Sequence, residues 1–528
     1  MRINKENIHA NRIKCVNTMQ ITLDDDFNVP DNKADIESIV KEWGNVRIEN
    51  VKTAGDRAEV MGCLDFALLY VGKGNGEKQE PVSMSGSMNF SDNVNMSEDA
   101  DNAYVSCRAK LEDITIKAIN SRKISVKALI CITVTAEEIT DIALGTELLD
   151  AQEKDNIQCC NKRISYTRMA VNLHDNLRIR ENVSLGNAKP EIERILWNDV
   201  TVHNVNSRLT DAGIDITGEL SVFIMYVSRD EQGRCEWYET GANFEGKLDI
   251  NGCTPDMISC ISFGLVSKNV EIKPDINGES RDLAVEVVLD MTVKAYEECE
   301  KDIIADMYAP TKRMSLVRNS ADFKRLVIRN NSKCRAQERV KVADYVNILQ
   351  ICNCTGTAQI DDVTVEADGL QVDGAIIANI FYIASDDSTP MGSVRAAVPF
   401  STKIQAEMGE GVEYNLDVCI DQLTAAMTGS REIEIKGSVM VDAIIFDQYS
   451  ENVVTDCDLT DYEEEEYLKM PCMVGYISNG EDTLWDIAKR YHTTTESIRR
   501  GNPALNDRVD DNTKIKRGEK LLLMKAAR

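Results

Sequence analysis

Histidine is scarce in this chain. The four that occur, His9, His174, His203 and His492, lie far apart, and none has an acid and a nucleophile beside it in a setting that recurs along the sequence. The sixteen cysteines contain no C-x-x-C pair, and the closest neighbours, Cys159–Cys160 and Cys352–Cys354, lack the ligand spacing of zinc. No metal site and no cofactor is expected. Long apolar runs are missing too: each is cut by Asp, Glu, Lys or Gly well short of the roughly 20 residues that cross a bilayer. The opening MRINKENIHANRIKCV lacks the apolar run of roughly seven residues that a secretory signal needs, so no export segment is expected. Basic charge is in deficit, with a formal net charge of −28, and a phosphate backbone demands the opposite. A nucleic-acid partner is excluded on that ground. There is no G-x-x-x-x-G-K-[ST], no G-x-S-x-G and no H-E-x-x-H, so the expectation is a protein that is not an enzyme. Thiols scattered in this way fit a reducing cytosol.

What the chain does have is internal repetition. Aligning ADIESIVKEW (from Ala34), PEIERILWND (from Pro190) and VNILQICNCT (from Val346), 156 residues apart, brings Ile36, Ile192 and Ile348 into one column. Ile39, Ile195 and Ile351 share another, followed by Gly62, Gly218 and Gly374, then Tyr70, Tyr226 and Tyr382. Over about 35 columns chance supplies roughly 0.2 such triple identities. A period of 156 far exceeds the roughly 20–50 residues of a solenoid, so the copies are tandem domains.

Within each copy the hydrophobic period is two. Ile214, Ile216, Leu220, Val222, Ile224 and Tyr226 alternate with Asp215, Thr217, Glu219 and Ser221, and copies one and three keep the same parity. That pattern makes half-buried strands. The central glycines Gly62, Gly218 and Gly374 are read as sites of a bulge or bend. A second long strand closes each copy from Ile124, Leu283 and Ile433, behind the pairs Ser121-Arg122, Ser280-Arg281 and Ser430-Arg431. Ahead of the first strand, Ile36, Ile39, Val40 and their counterparts Ile192, Ile195, Leu196 fall at i, i+3, i+4, which predicts a short helix. The fold expected is mainly β: three tandem antiparallel, sandwich-like repeats. Loops follow the first strands, including GKGNGEKQE from Gly72, an ordinary loop tip despite its glycines and lysine.

The tail is a separate electrostatic object. Residues 471–528 hold 11 basic and 8 acidic side chains, a net of +3, which leaves −31 for the first 470. Between them DLTDYEEEEYLK, from Asp458, reads as a solvated linker over 458–470. In the tail, VGYI and KLLLM read as strands around two helices, one capped by Asp482 or Thr483, the other opened by Thr494 or Thr495 and ended at Gly501-Asn502-Pro503. The Gly-Glu-Asp-Thr-Leu-Trp turn, the Asn-Pro after the second helix, and Ile515 with Gly518 resemble a LysM domain of β-α-α-β order. Arg517 replaces the usual proline before that glycine, and LNDRVDDNTK lengthens the second loop. The resemblance implies a shallow groove lined by Gly480, Asp482, Thr483, Leu484, Trp485, Asn502, Pro503 and Leu505, which in LysM domains takes N-acetylglucosamine polymers.

FNVPDNKADIESIV (27–40) and NAKPEIERIL (187–196), in three acidic β domains ahead of one LysM, resemble the SPOCS-domain spore-morphogenesis proteins of endospore-forming bacteria. Copy three lacks the proline-containing lead-in. The resemblance implies repeats at 1–165, 166–314 and 315–457 and a LysM domain at 471–528. It also implies work in the mother-cell cytoplasm at the forespore surface, where the family's LysM docks on stage IV sporulation protein A, the coat ATPase, rather than on peptidoglycan. Two other readings stand beside it: a glycan binder of spore cortex or wall, and a hydrolase whose site leaves no motif. Thiol counting on freshly isolated, unfolded chain should find nearly all sixteen cysteines free. Several stable disulfides would refute the cytosolic reading.

Overall fold

The structure, a computed structural model, describes residues 2–73, 79–100, 103–149, 156–230, 233–343, 346–386, 390–409, 411–505 and 510–526. Residues 74–78 of GKGNGEKQE and 506–509 of the long second loop of the tail lie outside the described residues. Repeat one contains β1 (Arg2–Asn28), β2 (Asp35–Ala54), β3 (Arg57–Lys73), β4 (Gln79–Asn95), β5 (Tyr104–Asn120) and β6 (Lys123–Leu149). Repeat two contains β7 (Gln158–Ser184), β8 (Ile192–Thr210), β9 (Gly213–Ser228), β10 (Cys235–Asp249), β11 (Ile258–Lys273) and β12 (Asp282–Tyr308). Repeat three contains β13 (Lys312–Lys341), β14 (Ile348–Glu366), β15 (Gly369–Ala384), β16 (Met391–Gln405), β17 (Gly411–Gly429) and β18 (Glu432–Asp461). Each repeat is two three-stranded antiparallel sheets, ordered β2-β3-β4 and β1-β6-β5 in repeat one and likewise in the others.

The alternation read from sequence lies on the two central strands. Val60, Leu64, Leu68 and Tyr70 of β3 and Ile124, Val126, Ile130 and Ile132 of β6 are fully buried and meet in one core. Repeats two and three build the same core from β9 with β12 and from β15 with β18. The Ser-Arg pairs fasten the two sheets together. Arg122 donates to the carbonyls of Lys33 (2.7 Å) and Val29 (3.0 Å), and Arg281 donates to Lys189 (2.8 Å), 156 residues beyond Lys33. The backbone N–H groups of Ile36, Ile192 and Ile348 donate to the serine carbonyls of the same pairs. In repeat three, without the proline lead-in, Arg431 turns to the Asn347 side chain instead.

The expected lead-in helix is absent, because those residues open β2, β8 and β14. Register shifts interrupt β2 between Ile36 and Ser38 and again between Ile39 and Lys41, with identical pairs in β8 and β14. One extra residue reverses the parity of a strand. Ile36 and Ile39 therefore both face the core of their own repeat, while Val40 faces away from it. Two bulges thus reproduce a helical spacing in extended chain. The glycines also act differently from expectation. Gly62, Gly218 and Gly374 pair with Phe90, Phe244 and Phe400 across an unbroken ladder, and the register shift lies in the opposite neighbour. A Cβ would stand 2.5 Å from Phe90 and Phe244 and 2.6 Å from Phe400. Each bare backbone is capped by a cross-strand ring.

The repeats are not beads on a string. Val40, Leu196 and Cys352, spaced by 156, pack with Leu69, Met225 and Phe381, also spaced by 156, in a cluster to which all three repeats contribute. The far halves of β1–β6, β7–β12 and β13–β18 form three arms that pack into a stem around Leu144, Ile303, Phe323 and Val453. A Cβ on Gly145 would overlap the Val454 carbonyl, so two arms touch there by backbone. The boundaries expected at 165 and 314 fall inside β7 and β13, because the chain passes from repeat to repeat at the arm tips. The run expected as a linker over 458–470 is also ordered: Asp458–Asp461 ends β18, and Glu464–Lys469 forms helix α1.

Beside the shared cluster lies a buried charge network. Lys41 Nζ stands 2.5 Å from Asp199 Oδ2, Asn353 Nδ2 donates to the same oxygen at 2.9 Å, and Lys268 Nζ lies 3.8 Å from Oδ1. Burial opposes ionisation of Asp199, yet the charges of Lys41 and Lys268 outweigh it and hold its pKa below the ordinary value. Asp199→Ala leaves Lys41 buried and unpaired and should cost about 3–5 kcal/mol of unfolding free energy. Denaturant titration tests this, with Lys41→Met/Asp199→Leu expected to recover part of the loss, because Lys268 also loses its carboxylate partner.

Candidate functional site

The tail folds as β19 (Met473–Ile477), α2 (Leu484–Arg490), α3 (Thr495–Gly501) and β20 (Lys520–Met524), with β19 antiparallel to β20. Thr483, not Asp482, caps α2 in a reciprocal box: its Oγ accepts from the Asp486 N–H at 3.1 Å, and the Asp486 carboxylate accepts from the Thr483 N–H at 3.0 Å. Thr494 caps α3 through the Ser497 N–H. Gly480 has φ +89°, a backbone that glycine adopts without strain, and a Cβ there would stand 3.1 Å from Arg517 Cβ. Asp482 is held by Arg490 at 2.9 Å and by the Tyr476 hydroxyl, and these hydrogen bonds keep its pKa below the ordinary value.

The eight candidate groove residues do not share one surface. Leu484 and Leu505 are buried in the module's own core. Asn502 is a structural tie: its side chain donates to the carbonyls of Ile498 (2.7 Å) and Leu522 (2.8 Å) and accepts from the Leu522 N–H (2.7 Å). Gly480, Asp482 and Thr483 run along the segment 514–518, where the Thr483–Lys514 bridge and the Ile515 N–H to Asp482 carbonyl bond hold them. Pro503 is exposed, as are Lys514, Lys516 and Arg517.

Trp485 is placed elsewhere. Its Nε1 donates to Asp306 Oδ2 at 2.8 Å, and its ring meets Tyr308 edge-on at 4.9 Å between centroids. Both partners end β12 in repeat two. Lys489 Nζ reaches the same carboxylate at 2.6 Å, the Tyr308 hydroxyl donates to the Thr493 carbonyl at 2.9 Å, and Cys160 Sγ lies 3.4 Å from Asn512 Oδ1. From the other side α1 straps the module's end: the Tyr467 hydroxyl donates to the Ala526 carbonyl at 2.6 Å, and Lys525 Nζ sits 4.1 Å over the Tyr467 ring. Sequence reasoning missed this seat. Its signal is a tyrosine at a strand end where the other copies carry Leu149 and Asp458.

The SipL, SPOCS domain family model matches residues 35–119, 191–273 and 347–428, and the LysM domain model matches 480–523. The chain is a SPOCS–LysM protein. Its domains are those of a sporulation protein, and its tail is a module of the peptidoglycan-binding kind. No curated protein and no solved structure matches the chain. Each SPOCS match runs from the first bulged strand to the strand before the last, β2 to β5 in repeat one, so the arms lie outside the matched segments. Among the described residues no helix is long and apolar enough to cross a membrane, and no group of three potential ligands is placed to hold a metal ion.

Burial works against ionisation of Asp306, but hydrogen bonds from Lys489 and Trp485 outweigh it and lower the pKa. A depressed carboxylate contributes stability above its unfolded pKa and loses it as pH falls through the folded value. The seat should therefore hold at pH 5 and loosen only below about pH 4, the ordinary aspartate range. Asp306→Ala should release the module at neutral pH, raising proteolysis within 458–470 and shifting Trp485 fluorescence to the red while the repeats stay folded. Unchanged cleavage and fluorescence would show that the seat is not held by Asp306.

Proposed function

We propose that this SPOCS–LysM protein is a non-enzymatic scaffold of spore-envelope assembly, which docks through its LysM domain on stage IV sporulation protein A-type ATPase at the forespore surface, in the mother-cell cytoplasm. The observation that carries this reading is the commitment of Trp485. The module's one tryptophan is spent on Asp306 and Tyr308, and the solvent-facing side that remains is a polar, basic strip at Lys514, Lys516 and Arg517 with Pro503 exposed. Such a face suits an acidic protein surface, where charge sets encounter rate and an exposed apolar ring supplies an anchor. Of the eight groove residues, Pro503 and the first turn Gly480–Thr483 are the ones this reading places in contact with the partner. Leu484, Trp485, Asn502 and Leu505 support it from beneath.

A second reading has its own observation. The LysM match covers residues 480–523, from the first turn into β20, and a match to that domain favours N-acetylglucosamine polymers as ligand. Titrating the full chain with the ATPase and with chitin oligomers separates the two. Docking predicts protein binding in which Lys514→Ala/Arg517→Ala slows association several-fold and weakens its salt dependence. Pro503→Ser should weaken affinity by about fivefold or more. Binding of chitin oligomers with no binding of the ATPase would refute docking and establish the glycan reading.

A further inference from the structure

The seams between repeats are built from corresponding strands, and two of them can be compared side chain by side chain. In the seam between repeats one and two, Lys268 of β11 is a plug. Its ammonium donates to the Asn198 carbonyl at 2.8 Å and lies 4.5 Å from the ring centroid of Trp43. The matching position in repeat three is fixed by the ladders: Lys268 pairs with Val287 and Leu423 with Gly437, and Leu283–Val287 corresponds to Ile433–Gly437. Leu423 is shorter and carries no charge. Where it stands, the seam between repeats two and three opens into a cavity of about 420 Å³.

Its lining combines an apolar floor with acceptors. Phe223 and Leu423 line it together with Thr355, Glu219 and Glu239. Glu219 is met by the Asn204 amide at 3.4 Å and Glu239 by the Ser221 hydroxyl at 3.4 Å, both neutral donors. The other carboxylates in the cavity are already matched, Asp421 by Lys333 at 2.8 Å and Asp199 by Lys41. His203 lies between the Thr201 hydroxyl (2.8 Å) and the Ile420 carbonyl (3.4 Å). The cavity therefore offers room for an aliphatic stem and two carboxylates without a cation, in the place where the neighbouring seam holds a lysine.

We infer that this cleft between repeats two and three is a docking site for a cationic side chain, lysine or arginine, on a basic peptide segment of a protein partner. The entering ammonium meets Glu219 and Glu239, whereas Lys268 one seam away meets the Asn198 carbonyl and the Trp43 ring. The site is independent of the LysM domain, so its failure leaves the tail reading untouched.

Methyl NMR of the full chain tests it, with Nα-acetyl-lysine N-methylamide as probe and the norleucine analogue as uncharged control. The lysine probe should shift the Ile420 and Leu423 methyls, and the norleucine probe should not. Glu219→Gln/Glu239→Gln should weaken binding about tenfold, while Asp24→Asn/Asp249→Asn, which removes equal charge elsewhere, should leave it unchanged. Leu423→Lys should fill the cleft from within, abolish the Ile420 shift and raise the melting temperature. If that variant fails to fold, the two carboxamide pairs decide alone. Shifts spread over the acidic surface, equal response to both probes, or indifference to Glu219→Gln/Glu239→Gln would overturn the proposal.

Discussion

One buried carboxylate has to be neutralised, and the arrangement of the whole body follows from how that is done. Asp199 in repeat two is satisfied by Lys41 from repeat one, Asn353 from repeat three and Lys268 from its own repeat. Lys41 and Asn353 stand at matching positions of their copies, and the third member of that set is Trp197, over which Lys41 lies at 5.6 Å. Three equivalent positions thus carry an ammonium, an indole and an amide. A pair of charges removed from water is tolerable only when both are paired and hydrogen-bonded, so each repeat supplies what another lacks. Hydrophobic packing of Val40, Leu196 and Cys352 would accept many rotations of one repeat on another. The network accepts one.

The strands were legible in the sequence because a half-buried sheet writes its period directly into the side chains, and Leu64 or Val222 can be assigned to a core from parity alone. The lead-in was misread for the same reason. Ile36, Ile39 and Val40 satisfy a helical template, and only the ladder reveals that two bulges send the first two to one face and the third to the other. Spacing cannot distinguish these cases, since a bulge changes parity without leaving a residue type behind. The glycines were correctly structural, but their reason lies in Phe90, Phe244 and Phe400, which are 26 to 28 residues away and carry no mark of their partner.

The LysM fold was legible through its caps and turn, whereas the fate of its side chains was not. Thr483 and Thr494 announce helix starts by local chemistry. Trp485 looks like a ligand platform until Asp306 and Tyr308 are brought against it from residues almost 180 positions earlier. The acidic run after Asp458 reads as solvated because its charges are contiguous, yet Tyr467 is turned inward to hold the module's last residues. In both places a long-range contact, invisible to periodicity, converts an expected surface into an interface.

The shared cluster also sets a clock on biosynthesis. Val40 and Leu69 share a cluster with Leu196 and Met225 of repeat two and Phe381 of repeat three, so its cover stays incomplete until more than three hundred further residues have been polymerised. At the usual elongation rates that interval is roughly 20 to 70 s. During it repeat one can complete its own sandwich but must present an open hydrophobic side, and on a polysome the nearest complementary side belongs to the next nascent copy of the same protein. Correct closure is therefore a contest between the third repeat in cis and the second in trans, which makes slow translation of the last third of the message a hazard for this architecture.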